Sequence, residues 1–128
     1  MRLLPPLALM GLIFFLSAQP DLSTGLGTAD LVLRKIAHAS IFGLLCFLWW
    51  RAFGGRVGPA IAVTVLYAIT DEWHQTHVEG RHGTVWDVLI DSAGALVAAY
   101  TLTRWRERLP ARLQPVPGPP AKPAPESR

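Results

Sequence analysis

Charge is what this sequence has least of. Asp, Glu, Lys and Arg make up 16% of its 128 residues, against roughly 25% in an ordinary soluble domain. The charges it does have are clustered between long uncharged runs, which argues against a conventional soluble surface. Cysteine is almost missing too. Cys46 stands alone, mid-way along an apolar run, so no disulfide framework is available within one chain, and its reading is a small buried hydrophobe. No nucleophile elbow, phosphate-cradling glycine loop or cysteine pair occurs anywhere, so a hydrolase of a familiar type is not expected. The runs are apolar all round and lack the polar face that a soluble four-helix bundle, the bland alternative, would need. The formal net charge of +3 comes from Lys and Arg at run ends and in the tail, not along one face, so nucleic acid is not an expected partner.

What is present is apolar: 51% of the residues are hydrophobic, and the mean hydropathy is positive. The length fits one domain. The first run, Leu3 to Ala18, could be a cleaved signal peptide. Against that, Leu16-Ser17-Ala18 lacks the small-x-small pattern and Pro20 follows closely, which favours an uncleaved spanning helix. Pro5 and Pro6 are tolerable in its first turn. A polar loop from Gln19 to Asp30 leads to a second run, Ile36 to Trp50, opened by Arg34-Lys35, interrupted by His38 and closed by Arg51; Trp49 and Trp50 suit an interfacial aromatic belt. The third run, Val57 to Thr70, ends in Asp71-Glu72. The fourth, Val85 to Leu102, contains Asp87 and Asp91 and stops at Arg104, Arg106 and Arg108. Pro110 to Arg128 carries seven prolines in 19 residues and reads as a disordered, polyproline-like tail.

These runs predict an all-α, polytopic membrane protein: a four-helix transmembrane bundle with helices at about 3–18, 34–51, 57–75 and 85–103. The runs are short, since a span needs about 20 apolar residues and no fewer than about 17; three of the four reach that length only by including polar residues. With the amino terminus inside, nine of the 12 Lys and Arg residues fall on one side. The positive-inside rule then puts both termini in the cytoplasm. The same alternation brings Ser17, His38, the Asp71-Glu72 stretch and Asp87/Asp91 to one level at the outer mouth.

Charges at that depth are costly unless they pair or line a wet cavity, so a functional role is their default reading. At 100° per residue, Thr64, Tyr67, Asp71 and Gln75 share a stripe of the third helix, with Glu72 at its margin. Asp87, Asp91, Gly94, Ala98 and Thr101 share a narrow arc of the fourth, so a neighbouring helix can approach closely just below the acids. The candidate polar cluster is Lys35, His38, Asp71, Glu72, His74, Gln75, Arg81, Asp87 and Asp91: an ionic plug of acids against Arg34, Lys35, His38 and Arg81. Arg81, close in sequence to Glu72 on one side and Asp87 on the other, is expected to bridge them bidentately. His74 and His77 have the spacing of a helical metal pair, but no third ligand follows at a diagnostic distance; no metal and no cofactor are expected. His82 reads as a loop residue.

These residues resemble the VanZ-like family of small bacterial membrane proteins, named for a factor linked to teicoplanin resistance. The resemblance rests on Phe15-Leu16-Ser17-Ala18-Gln19, Lys35-Ile36-Ala37-His38, Asp71-Glu72-Trp73-His74-Gln75, Gly80-Arg81, Trp86-Asp87 and Asp91-Ser92-Ala93-Gly94. The family often has an aromatic where His77 stands, a proline where Glu79 stands and sometimes Asn where Asp91 stands; an acid at 91 raises the demand for a counter-charge. The resemblance covers about residues 12 to 100 and implies a four-helix domain, taken here as 1–109, in the bacterial cytoplasmic (inner) membrane; the charge asymmetry puts the tail from 110 to 128 in the cytoplasm. The resemblance also implies a cell-envelope role with a link to glycopeptide antibiotic resistance. Two functional classes stay open. One is a non-enzymatic factor whose outer mouth binds a lipid-linked or amphipathic ligand, with the lipid bilayer as its other partner. The other is a small membrane enzyme using Glu72 or Asp87 as general acid/base on a lipid head group. The missing nucleophile and metal set leans towards the first.

Overall fold

The structure, a computed structural model, describes residues 1–19, 27–81 and 83–115. Among them the chain is all helical. Its α-helices are α1 (Leu4–Ser17), α2 (Thr28–Ala52), α3 (Val57–Gln75) and α4 (Val85–Trp105), followed by 3₁₀ turns at Arg106–Arg108 and Ala111–Leu113. α2 begins at Thr28, well before the expected start near residue 34. Two features extend it: Asp30 lies in the first turn, where the helix dipole favours an acid, and Arg34 pairs with Asp30 one turn on, at 2.8 Å.

α2 and α4 form the most extensive pair, α3 packs on both, and α1 lies against α2 and α3. The α2–α4 contact depends on missing side chains. A methyl group at Gly94 would run into the Ala39 carbonyl oxygen, and one at Gly43 would stand 3.1 Å from the Gly94 carbonyl oxygen. Backbones that close exclude larger residues at the crossing. The inward stripe of α3 is polar over its last turns: Thr64, Asp71, Glu72 and Gln75 are all buried. Thr64 satisfies itself by donating to the Ala60 carbonyl at 2.8 Å. Tyr67 ties α3 to α1, its hydroxyl donating to the Met10 carbonyl at 2.6 Å.

The outer faces are the reverse of a soluble protein's. Leu7, Phe15, Leu66, Trp86 and Val97 each expose half or more of their surface. Two helices are long and apolar enough to cross a membrane, Thr28–Ala52 and Val85–Arg108, and Leu4–Ser17 is a shorter apolar helix. Trp49 and Trp50, expected in an interfacial belt, are instead turned inward at 7% and 1% exposure, stacked on Phe53 and Phe47. Trp73, Trp86 and Trp105 are the exposed ones. At the basic end, Arg51 donates to the carbonyls of Arg112 and Gln114 at 2.8 and 3.3 Å. Gln114 in turn caps the end of α4 through the Arg106 carbonyl at 2.8 Å. Residues 110–115 are thus tied back to the bundle, while the rest of the expected disordered tail, and His82, lie outside the described residues.

Candidate functional site

At the end opposite those arginines, the start of α2, the end of α3 and the start of α4 come together around a cavity of about 270 Å³. α2 contributes Leu31, Arg34, Lys35 and His38 to its wall, and α3 contributes Glu72 and Gln75. The α3–α4 connection adds Gly80 and Arg81, and α4 adds Asp87, Ile90 and Asp91. A smaller crevice of about 90 Å³ adjoins it, sharing His38 and Arg81 and otherwise lined mainly by Ile13, Leu16, Ile41 and Phe42.

Local rules place the acids. Thr84 caps α4, its hydroxyl oxygen accepting the Asp87 N–H at 3.2 Å and donating to Asp87 Oδ2 at 2.6 Å. Thr84 and Asp87 stand at capping-box spacing, but only the Thr84 half of the box forms, since the Thr84 backbone N–H goes to Glu72 instead of Asp87. Lys35 Nζ takes the other Asp87 oxygen, an ion pair joining α2 to α4. Glu72, 5% exposed, accepts the Thr84 backbone N–H through Oε2 at 3.2 Å. That bond needs Gly83, because a side chain there would collide with the Glu72 carbonyl oxygen. Neither Gly83 nor Thr84 was singled out from the sequence, although the Thr-x-x-Asp spacing was available as a signal.

Gln75 is the hub of the buried polar layer. Its Nε2 donates to Asp71 Oδ2 at 2.9 Å and more weakly to Glu72 Oε1 at 3.4 Å, while its Oε1 accepts from Arg81 Nη1 at 3.3 Å. Ser17, from α1, donates to the same Asp71 oxygen at 2.9 Å. Asp71 therefore sits behind the cavity wall rather than on it.

Arg81 departs from expectation. Among the described residues it makes no ion pair with Glu72 or Asp87. Its Nε and Nη2 instead donate to the carbonyls of Gln19 and Leu16, at 2.9 and 3.5 Å. The last carbonyls of any helix lack intrahelical partners, and a guanidinium with five donors can serve several of them. The ionic plug is correspondingly smaller than expected: Lys35 takes Asp87, Arg34 takes Asp30, and Arg81 holds α1.

What remains is a group of acids with little compensation. Asp91 is 1% exposed, and among the described residues neither of its carboxylate oxygens has a hydrogen-bond partner; Asp71 Oδ1 lacks one too. His38 Nδ1 lies 3.6 Å from Asp91 Oδ2, outside hydrogen-bond range, with its ring stacked towards Phe42. One ligand-type atom from each of His38, Glu72 and Asp91 falls within 4.8 Å of the others. The His74/His77 pair does not converge. The His74 ring stacks on Phe14 of α1 at 4.1 Å, whereas His77 Nδ1 lies 2.9 Å from the Trp73 carbonyl oxygen.

An all-helical chain with apolar outer faces, two helices able to span a bilayer and a charged cavity at one end of the bundle defines a helical membrane protein with a polar terminal pocket. The chain belongs to the VanZ/LLP1 family, whose pattern matches residues 3–106. No curated protein and no solved structure matches it. The matched range includes all four helices and every residue of the pocket wall.

Proposed function

We propose that this chain is a multi-pass protein of the bacterial cytoplasmic membrane, with four spanning helices and both termini in the cytoplasm. Its pocket, at the outer face, binds a lipid-linked or amphipathic ligand without chemically changing it. The observation that carries this reading is the pairing of two unlike spaces. A charged cavity of about 270 Å³ opens beside an apolar crevice of about 90 Å³, and the two share His38 and Arg81. A molecule with a polar head and an apolar tail suits that junction, since pockets hold ligands by apolar area and orient them by a few polar groups. Charge asymmetry supports the orientation: Arg51, Arg56, Arg104, Arg106 and Arg108 gather at the end away from the pocket. α1 is the weakest span. Its 14 residues rise about 21 Å, short of the roughly 30 Å hydrocarbon core, so it spans only with local thinning of the bilayer. A part in glycopeptide resistance, which the family resemblance implies, is the physiological side of this proposal.

Binding is favoured over catalysis because Asp87, one of the two acid/base candidates, has Lys35 on one oxygen and Thr84 on the other. Glu72 stays the candidate of the enzymatic reading, and turnover lost in Glu72→Gln with binding intact would favour that reading. The proposal is tested by native mass spectrometry of the full chain released from its own membrane. The wild type should retain an amphipathic species in roughly stoichiometric amount. Arg81→Gln and the crevice-filling Ile41→Trp should each reduce it at least tenfold. Retention unchanged in both variants, or no species above bulk phospholipid, would count against it.

A further inference from the structure

Three acids at the pocket end are almost wholly withdrawn from solvent: Asp71 and Asp91 at 1% exposure and Glu72 at 5%. A carboxylate taken out of water must be paired, fully hydrogen-bonded or metal-bound. The nearby cations do not meet that need. Lys35 pairs with Asp87, Arg34 pairs with Asp30, and Arg81 gives its hydrogen bonds to two carbonyls and Gln75. Gln75 and Ser17 serve Asp71, and Thr84 serves Glu72. Among the described residues Asp91 has no hydrogen bond on either oxygen; its nearest basic group is His38, with Nδ1 3.6 Å from Oδ2, and it is part of the cavity wall.

We infer that His38, Glu72 and Asp91 form a binding site for one divalent first-row transition cation, of the Zn²⁺ or Mn²⁺ kind, at the inner wall of the pocket. The geometry is close to what such an ion requires. Two ligands on one tetrahedral ion with bonds of about 2.0 Å stand roughly 3.3 Å apart. His38 Nδ1 and Asp91 Oδ2 are already 3.6 Å apart, and all three ligand atoms lie within 4.8 Å of one another. The imidazole suits Zn²⁺ and the two carboxylates suit Zn²⁺ or Mn²⁺, whereas Mg²⁺ and Ca²⁺ prefer oxygen alone. A doubly charged ion offsets the carboxylates of Glu72 and Asp91. Access comes through the cavity, to which His38 is open, with its side chain 34% exposed.

A supporting layer is present as well. The Thr84 N–H holds Glu72 on one side and Gln75 on the other, while Phe42 backs the His38 ring. Ligand carboxylates held by outer hydrogen bonds of this kind are the common pattern in metal sites. Three protein ligands leave coordination positions facing the cavity, so the ion is also positioned to meet an anionic head group there. The cation site does not depend on such a ligand.

The test uses the metal alone. Full-length protein in nanodiscs is stripped with chelator, then titrated with Zn²⁺, Mn²⁺ and, as comparison, Mg²⁺. One Zn²⁺ or Mn²⁺ per chain is expected, with affinity at least tenfold weaker in His38→Gln and in Asp91→Asn and unchanged in Arg104→Gln at the far end. Bound Mn²⁺ should show nitrogen coupling from an imidazole in its electron-spin-echo spectrum. Where a variant fails to fold, the wild-type spectrum decides: nitrogen coupling supports the site, and its absence overturns it. No saturable binding, or binding equally strong in both ligand variants, also overturns it. Because nothing but the metal is added to the nanodisc phospholipid, the outcome leaves the test of ligand retention from the native membrane to stand or fall separately.

Discussion

Single residues at the pocket end were legible by type more than by partner. The stripe of Asp71 and Gln75 follows from helical periodicity, and the structure buries both. The choice of partner does not follow from it. Arg81 stands close to Glu72 and Asp87 in sequence, yet it is taken by the carbonyls of Leu16 and Gln19. That outcome depends on where the end of α1 lies in space, which no local pattern encodes. It leads to a sharp expectation. A Lys at 81 presents one compact ammonium and cannot reach the Leu16 and Gln19 carbonyls and Gln75 at once. Hydrogen bonds from charged donors contribute about 1.5–3 kcal/mol when well buried; at this half-buried position Arg81→Lys should lose about 1–2 kcal/mol. Arg104→Lys should be near neutral. Thermal unfolding of the two variants in one detergent makes the comparison, and equal midpoints would contradict the assigned contacts.

Among the elements, the α2–α4 pair is the part most firmly prefigured. The small residues on the arc of α4 below its acids imply a close neighbour, and the structure supplies α2, with the Ala39 carbonyl against Gly94. The early start of α2 is less legible. Polarity marks the chain up to Asp30 as loop and Arg34-Lys35 as the opening of the helix, but the Asp30–Arg34 pair and a favourable helix dipole carry the helix back to Thr28. The inward turn of Trp49 and Trp50 is likewise tertiary. Gly55, at φ +88°, lets the chain turn so that Pro115 closes over the end of α2, where a Cβ at Gly55 would stand 3.8 Å from Trp50 Nε1. Glycine placement gives a paired prediction. Gly94→Ala forces the α2 and α4 backbones apart and should cost at least about 2 kcal/mol, as overpacking of a tight interface does. Gly11→Ala in α1 meets nothing within 4 Å and should be neutral or slightly stabilising, because Ala loses less backbone entropy in a helix. Urea or thermal denaturation followed by tryptophan fluorescence separates the two; a Gly94→Ala protein as stable as wild type would undo the account of the crossing.

At the scale of the whole molecule, the ends of the bundle differ in kind. One is basic and closed by Arg51 and Gln114 on the 106–115 segment; the other holds buried acids around a cavity. Family membership and apolar faces make this a membrane protein, and the proposed orientation turns the acidic end outward. The measurement that bears most directly on an outward-opening pocket is cysteine accessibility in intact cells. Cys46 is fully buried and can be replaced by Ala to give a cysteine-free background. In that background Leu31→Cys places a thiol on the pocket wall and Arg56→Cys places one at the basic end. A membrane-impermeant maleimide should label Leu31→Cys in intact cells and Arg56→Cys only after permeabilisation. Labelling of Arg56→Cys from outside, with Leu31→Cys protected until the membrane is opened, would contradict an outward-facing pocket.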